Sequence, residues 1–156
     1  MNPEQIAAEF IRPDRIEQRL GLGYHGAVYA TSRGSAVKVH ERRHTYQTEL
    51  LVYRRLGARR VSRIGMFSVP QLVGHDDDCL IIEMTAVRPP YLLDFGQVTL
   101  DSPPDFPIPW REHVAARIDE KFDDEQQASI ASSIVSQLQW KYGIYYLDMK
   151  PGNIEF

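Results

Sequence analysis

Three short segments combine residue types and spacings that suit phosphate chemistry, and the first is rich in glycine. It reads GLGYHGAVY, with Gly21, Gly23 and Gly26 in the order G-x-G-x-x-G and Val28 close behind. Glycine has no Cβ, so backbone N–H groups there can approach phosphate oxygens closely. A dinucleotide-binding loop needs a helix at the third glycine, but the residues that follow alternate as in a strand. The segment therefore predicts a hairpin lying over a nucleotide, with an ordinary glycine turn as the alternative.

The second segment places a lysine on a strand and a glutamate on the helix that follows. Lys38 closes the run Ala36-Val37-Lys38, and Glu49 lies within the next helical segment. A lysine in this place can reach the α- and β-phosphates of ATP, and a glutamate from a packed helix can hold its ammonium group. The alternatives are a solvated lysine at a strand edge and a surface charge on the helix. The glycine segment upstream favours the first interpretation.

The third segment, YYLDMKPGN, is the most specific of the three. Asp148 and Asn153 stand five residues apart with Lys150 between them. On one loop, such an aspartate can face a substrate hydroxyl and such an asparagine can offer its amide oxygen to Mg²⁺. The lysine can neutralise charge on a phosphoryl group in transfer. The pattern predicts phosphoryl transfer, because all three segments occur together and in this order.

Taken together, the three segments resemble those of the protein kinases. The resemblance covers the whole small lobe and the start of the large lobe, and it implies an α+β kinase-like fold: an antiparallel small-lobe sheet with one helix, plus a partial helical large lobe. It implies that the catalytic residues are Asp148, Lys150, Lys38 and Glu49 and that Asn153 binds the metal. It implies that the ATP-binding residues are Gly21, Gly23, Gly26, Val28, Lys38, Glu83 and Thr85, the last two through the backbone of a hinge.

The sequence also departs from the kinase pattern. Tyr146 and Leu147 stand where the family has histidine and arginine before the catalytic aspartate. No D-F-G segment follows Asn153 before Phe156, so we expect the aspartate that bridges Mg²⁺ to the phosphates to be missing. Glu155 is the only nearby acid that could replace it, and an exposed strand residue is the simpler interpretation. The departures leave three explanations: a fragment of a longer kinase, a pseudokinase, or a minimal kinase that a partner completes.

The elements that would position these segments follow from periodicity and turn residues. Residues 3–11 and 45–56 have helical spacing, and Gly57 is expected to end the second helix. Asp123 and Asp124 are expected to cap a third helix, whose apolar face is Ala131, Ile134, Val135 and Leu138. Strands are predicted at 27–30, 36–39, 68–73, 79–85 and 154–156, and a proline-rich connector without regular structure at 88–110. The domain prediction is a small lobe at 1–87, a hinge extension and linker at 88–123, and a partial large lobe at 124–156.

Composition limits the remaining function classes. The chain has 156 residues, 43% of them hydrophobic and 25% charged, which indicates one ordinary globular domain. Its net charge of -3 gives no positive field for nucleic acid or an anionic membrane. No basic-then-apolar signal pattern opens the chain, so we expect a cytoplasmic protein, or one secreted into a host cell without a cleaved signal peptide. The single cysteine, Cys79, is interpreted as a small apolar strand residue.

Two other patterns suggest different chemistry. His40-Glu41-Arg42-Arg43-His44 matches H-E-x-x-H, the zinc-binding pattern of metalloproteases. No His, Asp or Glu stands between Leu50 and Gly74 to serve as a third ligand, and the two arginines would place positive charge beside the cation. The alternative is a polar connection between a strand and a helix. An arginine run at 54–63 suggests an acidic partner, or else a solvated face.

The sequence therefore predicts an ATP- and Mg²⁺-dependent serine/threonine protein kinase-like transferase, with a protein substrate. In its compact order and short interval from Lys38 to Glu49, it resembles the minimal kinases that some bacteria deliver into host cells. A nucleotide-binding pseudokinase scaffold is the alternative. We also expect a protein partner or a second copy of the chain to cover the apolar face of the third predicted helix.

Overall fold

The computed structural model describes residues 1–156 and contains four helices and eleven strands. The helices are α1 (Pro3–Phe10), α2 (Arg43–Ala58), α3 (Trp110–Lys121) and α4 (Glu125–Tyr142). The strands are β1 (Ile16–Gly23), β2 (Gly26–Thr31), β3 (Ser35–His40), β4 (Arg63–Ile64), β5 (Phe67–Ser68), β6 (Leu72–Asp76), β7 (Ile81–Thr85), β8 (Tyr91–Leu92), β9 (Val98–Leu100), β10 (Ile144–Tyr146) and β11 (Ile154–Glu155). None of the four helices could span a membrane. The chain is thus a mixed α and β protein with an antiparallel sheet.

The largest sheet has five antiparallel strands in the order β1-β2-β3-β7-β6. One face packs on α1, where Ala7 and Ile11 meet Val37 and Val39 of β3. Side chains alternate along a strand, so Ala36 and Lys38 of β3 face the opposite side of the sheet, where α2 lies. The β2–β3 hairpin is confirmed, and its alternation aims Lys38 at α2.

Helix α2 extends further than the sequence predicts. Gly57 was expected to end it, but the helix runs through Gly57 to Ala58. Arg59 then closes the last turn with its N–H on Leu56 O, and Arg60 takes a left-handed conformation, with φ of 55°. A glycine inside a helix costs about 1 kcal/mol relative to alanine, and the buried apolar face of α2 outweighs that cost.

The proline-rich stretch at 88–110 is not the irregular connector that we expected. It contains β8 and β9, and α3 begins at Trp110. β8 pairs antiparallel with β11, and β9 pairs antiparallel with β10. Three of its six prolines stand just before these elements: Pro89 and Pro90 ahead of β8, and Pro109 in the N-cap of α3. Proline is tolerated there because the first residues of an element need no N–H donor.

In helix α4 the predicted N-cap is confirmed, but the apolar face is not exposed as predicted. The Asp124 side chain accepts a hydrogen bond from the N–H of Gln127. The apolar face that was expected to need a partner is buried inside the chain, and no member is more than 2% exposed: Ala131, Ile134, Val135 and Leu138. It joins the main core, and the turn between β4 and β5 lies against Ile134. The face therefore gives no reason to expect a partner.

The region around β6 is shifted relative to the prediction. β6 begins at Leu72 rather than at residue 68 and runs to Asp76, so the turn starts at Asp77. The Asp76 carboxylate accepts hydrogen bonds from the N–H groups of Asp78 and Cys79. Cys79 is thus an exposed turn residue and not a strand residue, because the short Asx-type turn takes it out of the sheet.

Candidate functional site

A cavity of about 800 Å³ lies between the β1–β2 hairpin, β3, the end of β7 and the loop after β10. It is lined by ten of the eleven residues that the sequence singled out: Gly21, Gly23, Gly26, Val28, Lys38, Glu49, Thr85, Asp148, Lys150 and Asn153. Glu83 is the exception. The cavity also contains an acid that the sequence analysis missed, Asp94.

A buried ion pair forms the back of this cleft. Lys38 Nζ lies 2.7 Å from Glu49 Oε2, with side chains only 7% and 1% exposed. Burial alone would raise the pKa of Glu49, but the charge of Lys38 and the hydrogen bonds from His40 and Lys38 lower it to about 2. Burial alone would lower the pKa of Lys38, but the charges of Glu49 and Asp94 outweigh it and raise the pKa. Both groups are therefore charged at neutral pH, which places a fixed cation at the cavity wall.

Asp94 is the second acid beside Lys38. Its Oδ1 lies 3.1 Å from Lys38 Nζ. Asp94, Phe95 and Gly96 spell D-F-G, the segment that we expected to be missing because none follows Asn153. The expectation was wrong because it assumed the kinase order, in which D-F-G comes after the catalytic loop. Here it comes before that loop in the chain, so a search for the triplet anywhere in the sequence would have found it.

Strand pairing explains how an upstream D-F-G segment reaches the loop of Asp148. β8 runs into Asp94 and pairs with β11, which follows Asn153, with Leu92 opposite Ile154. The N–H of Leu93 donates to Asn153 O at 2.8 Å. On the other side, β9 pairs with β10, which runs into the loop. Antiparallel pairs form regardless of which strand comes first, so the two segments meet although their chain order is reversed.

Three aromatic side chains pack where the D-F-G segment meets the loop of Asp148. Phe95 lies edge-on to Tyr53 of α2, with ring centres 5.6 Å apart, and edge-on to Tyr146, at 5.8 Å. The Tyr146 hydroxyl donates to Leu93 O at 2.6 Å. Tyr146, which stands where kinases have histidine, therefore fixes the backbone just before Asp94. Burial raises the pKa of Tyr53 and of Tyr146 well above the usual value, so both hydroxyls stay protonated.

The loop after β10 holds its polar groups in one network. Asn153 Nδ2 donates to Asp148 Oδ2 at 2.8 Å and to Asp148 O at 3.0 Å. Lys150 Nζ lies 3.2 Å from Asp148 Oδ2 and is half exposed. Glu155, the acid considered as a replacement metal ligand, instead accepts the N–H of Gly152 at 2.9 Å. It caps the turn and does not line the cavity.

The donor set in the cleft fits Mg²⁺ rather than zinc. Asp94 supplies a carboxylate oxygen, and the Asn153 side-chain oxygen takes part in no hydrogen bond. Mg²⁺ in nucleotide sites is held by one or two such groups together with phosphate oxygens. No group of three or more His, Cys, Asp or Glu residues could hold a metal, and the H-E-x-x-H match is split between β3 and an exposed helix start. His40 and His44 therefore do not form the zinc site that the H-E-x-x-H match suggested.

The three glycines of the hairpin play different parts. Gly23 lies opposite Gly26, so the glycine segment is the turn of the β1–β2 hairpin, as predicted. At Gly26 the backbone has φ of +138°, and a Cβ there would lie 2.1 Å from Val39 O. At Gly21 and Gly23 a Cβ would meet no atom within 4 Å. Gly26 is therefore required by the close approach of β2 to β3, whereas the other two leave open space at the cavity.

We expect Gly26→Ala to lower the free energy of unfolding by about 3 kcal/mol, since both the Val39 carbonyl and the backbone conformation oppose a side chain. Gly23→Ala should change it by less than about 0.5 kcal/mol. Urea unfolding followed by circular dichroism measures both. Equal losses in the two variants would show that close packing is not what Gly26 provides.

Of the two residues predicted to form the hinge, Thr85 lines the cavity and Glu83 does not. Thr85 lines the cavity, and its N–H donates to Gln71 O. The Glu83 side chain lies on the opposite face of β7, where it binds Arg33 at 2.5 and 2.7 Å and Ser35 at 2.5 Å. Its backbone pairs within the sheet with Val37. Strand alternation therefore gives Met84, not Glu83, the place beside Thr85 in the cavity.

Comparisons with known proteins do not assign a family. No protein-family model matches the chain, and no curated protein matches it. Among solved structures, it is similar to the ternary complex of APH(2″)-IIa with streptomycin and ATP, at 13% identity and a TM-score of 0.41. The match covers 88% of this chain and 50% of the other, so the chain spans half the length of that protein. At this level of similarity, function has to be inferred from the cleft itself.

Proposed function

We propose that the protein is a kinase-like phosphotransferase that binds ATP and Mg²⁺ in this cleft and transfers the γ-phosphoryl group to a hydroxyl. One observation carries the proposal: a single cavity contains the Lys38–Glu49 ion pair, Asp94 and the network of Asp148 and Asn153. The sequence places these groups in three separate segments, and a structural role for each would not require them to share one cleft.

Each group has a distinct role in the proposed reaction. Lys38 binds the phosphates of ATP, and Glu49 keeps its ammonium group in place. Asp148 accepts the proton of the attacking hydroxyl, and Lys150 balances charge on the phosphoryl group. Asp94 and Asn153 would hold Mg²⁺, which neutralises phosphate charge when bound. The apolar Val28 and Met84 give the adenine a dry surface.

The proposed acceptor is a serine or threonine of a protein. Its support is the kinase resemblance, in which a lysine two residues after the catalytic aspartate, here Lys150, is typical of serine/threonine kinases. A role as a bacterial effector kinase stays a prediction from the same resemblance, as does a protein partner. The pseudokinase alternative was based on a missing metal-binding aspartate, and the place of Asp94 in the cleft removes that basis.

A thermal-shift titration with ATP, with and without Mg²⁺, tests nucleotide binding. We expect Mg²⁺-ATP at 100 times its Kd to stabilise the wild type by about 2.7 kcal/mol. Lys38→Ala should abolish most of the shift, because it removes the cation that binds the phosphates. Removal of Lys38 leaves Glu49 buried and unpaired, which lowers the stability of the variant itself. Each shift is therefore measured from the melting temperature of the same protein without nucleotide.

The matched control is Lys141→Ala, which removes an exposed lysine near the end of α4. This variant should keep the wild-type shift. Equal shifts in Lys38→Ala and the wild type, or no shift with any nucleotide, would contradict the proposal.

A further inference from the structure

His40, the last residue of β3, is buried beside the ion pair, and both of its ring nitrogens make contacts. Nε2 lies 2.7 Å from Glu49 Oε2. Nδ1 lies 3.1 Å from Leu80 O, in the turn before β7. The imidazole is fully buried, and the Glu49 side chain is 1% exposed, so water cannot replace either contact. This histidine belonged to the excluded H-E-x-x-H match, and nothing so far gives it a role.

The chemistry of the two partners decides the protonation of His40. A backbone carbonyl oxygen only accepts hydrogen bonds, and an ionised carboxylate also only accepts. A neutral imidazole has one N–H group and can satisfy one of the two partners. Glu49 remains ionised, because its pKa is lowered to about 2. Both contacts can therefore be hydrogen bonds only when His40 carries a proton on each nitrogen.

The Glu49 carboxylate links His40 to Lys38. Glu49 Oε2 receives both His40 Nε2 and Lys38 Nζ, and Lys38 also contacts Asp94. His40 therefore reaches the cavity lysine through one shared carboxylate oxygen. The Tyr46 ring lies edge-on to the imidazole, with ring centres 5.6 Å apart. Its hydroxyl is turned away towards His75 and Asp77.

We propose that His40 is a positioning residue for phosphate binding. Its Nε2 contacts the same Glu49 oxygen that contacts Lys38, and Glu49 in turn holds Lys38 at the cavity. Loss of the hydrogen bond from His40 to Glu49 should therefore weaken the binding of ATP. This inference rests on the proposed function.

Substitutions at His40 and His44 separate this role from simple packing. In His40→Gln, the side-chain amide nitrogen is the same number of bonds from Cα as the histidine Nε2. Its N–H can therefore replace the histidine as a donor to Glu49. His40→Phe keeps a buried ring and removes both hydrogen bonds. His44→Gln is the matched control, because His44 is the exposed second histidine of the same motif.

The first measurement is the Kd of Mg²⁺-ATP by calorimetry for all four proteins. We expect His40→Gln and His44→Gln to bind within about threefold of the wild type, and His40→Phe to bind about tenfold more weakly. Wild-type affinity in a folded His40→Phe would overturn the proposal. If His40→Phe does not fold, the second measurement decides.

A second measurement needs no nucleotide. Long-range ¹H–¹⁵N NMR spectra of the wild type report the protonation of each imidazole nitrogen, and the His40 signals are identified by their loss in His40→Gln. We expect Nε2, which faces the ionised Glu49, to carry a proton. An Nε2 without a proton would overturn the proposal. If no protein binds ATP, the proposed function fails, and these spectra still decide whether His40 donates to Glu49.

Discussion

Replacing Asp94 by asparagine should lower the rate of phosphoryl transfer by a factor of about 10²–10³. Asparagine keeps the size of the side chain and removes the negative charge that faces Lys38 and the phosphate end of the cavity. Nucleotide binding without Mg²⁺ should persist, because Lys38 keeps Glu49 as its partner. The Mg²⁺-dependent part of the ATP thermal shift should disappear. The measurement is ADP formation together with thermal shifts across a Mg²⁺ series.

The matched control for Asp94→Asn is Glu155→Gln. Glu155 is the acid that the sequence suggested as a replacement ligand, and a glutamine can still accept the N–H of Gly152. We expect its rate and its Mg²⁺ dependence to match the wild type. If Glu155→Gln loses Mg²⁺ dependence and Asp94→Asn does not, the upstream D-F-G segment is not the metal-binding one.

The second large effect is expected at Asp148. Asp148→Asn should lower phosphoryl transfer by a factor of about 10²–10⁴, because an amide cannot take the proton of the attacking hydroxyl. ATP affinity should change little, since Asp148 is placed on the acceptor side of the cleft. The new amide can still bond to Asn153, which now donates to the Asp148 carboxylate. A rate effect without a binding effect is the signature of a group used in the chemical step.

Transfer of labelled phosphate from ATP to a degenerate peptide library centred on serine or threonine measures this effect. Asp119→Asn, on the exposed side of α3, is the control and should transfer at the wild-type rate. An unchanged rate in Asp148→Asn would remove it from the proposed mechanism. If Mg²⁺-ATP binds but no library peptide is labelled, the proposed protein substrate is wrong and the cleft acts on another hydroxyl.

The parts of the fold that the sequence predicts well are encoded locally. The β2–β3 hairpin has two alternating runs around a glycine turn, and α4 has both a capping aspartate and a regular apolar face. These signals lie within a few residues of the element that they specify. The same holds for the loop from Asp148 to Asn153, whose polar network connects residues five apart.

The features that the sequence analysis missed depend on distant partners. β8 has only two residues and exists because it pairs with β5 and β11, so no local pattern marks it. Asp94 follows β8, and its place in the cleft is therefore set by a strand more than fifty residues away. The face of α4 is covered by other parts of the same core, which periodicity alone cannot show. The prediction for Glu83 was wrong because the sequence does not show which side chains of β7 face the cavity. That depends on the register of β7 with β3.

The reversed order of D-F-G and catalytic loop also has a kinetic consequence. The two halves of the site join only when β8 meets β11 and β9 meets β10, and each pairing closes a long loop that contains α3 and α4. The β1–β2 and β2–β3 hairpins close much shorter loops. Non-local pairings form slowly, because chain entropy is lost before contacts compensate for it. During refolding, the β1–β2–β3 hairpins therefore form first, and competence to bind Mg²⁺-ATP appears only after the long-range pairings, including β3 with β7, are complete.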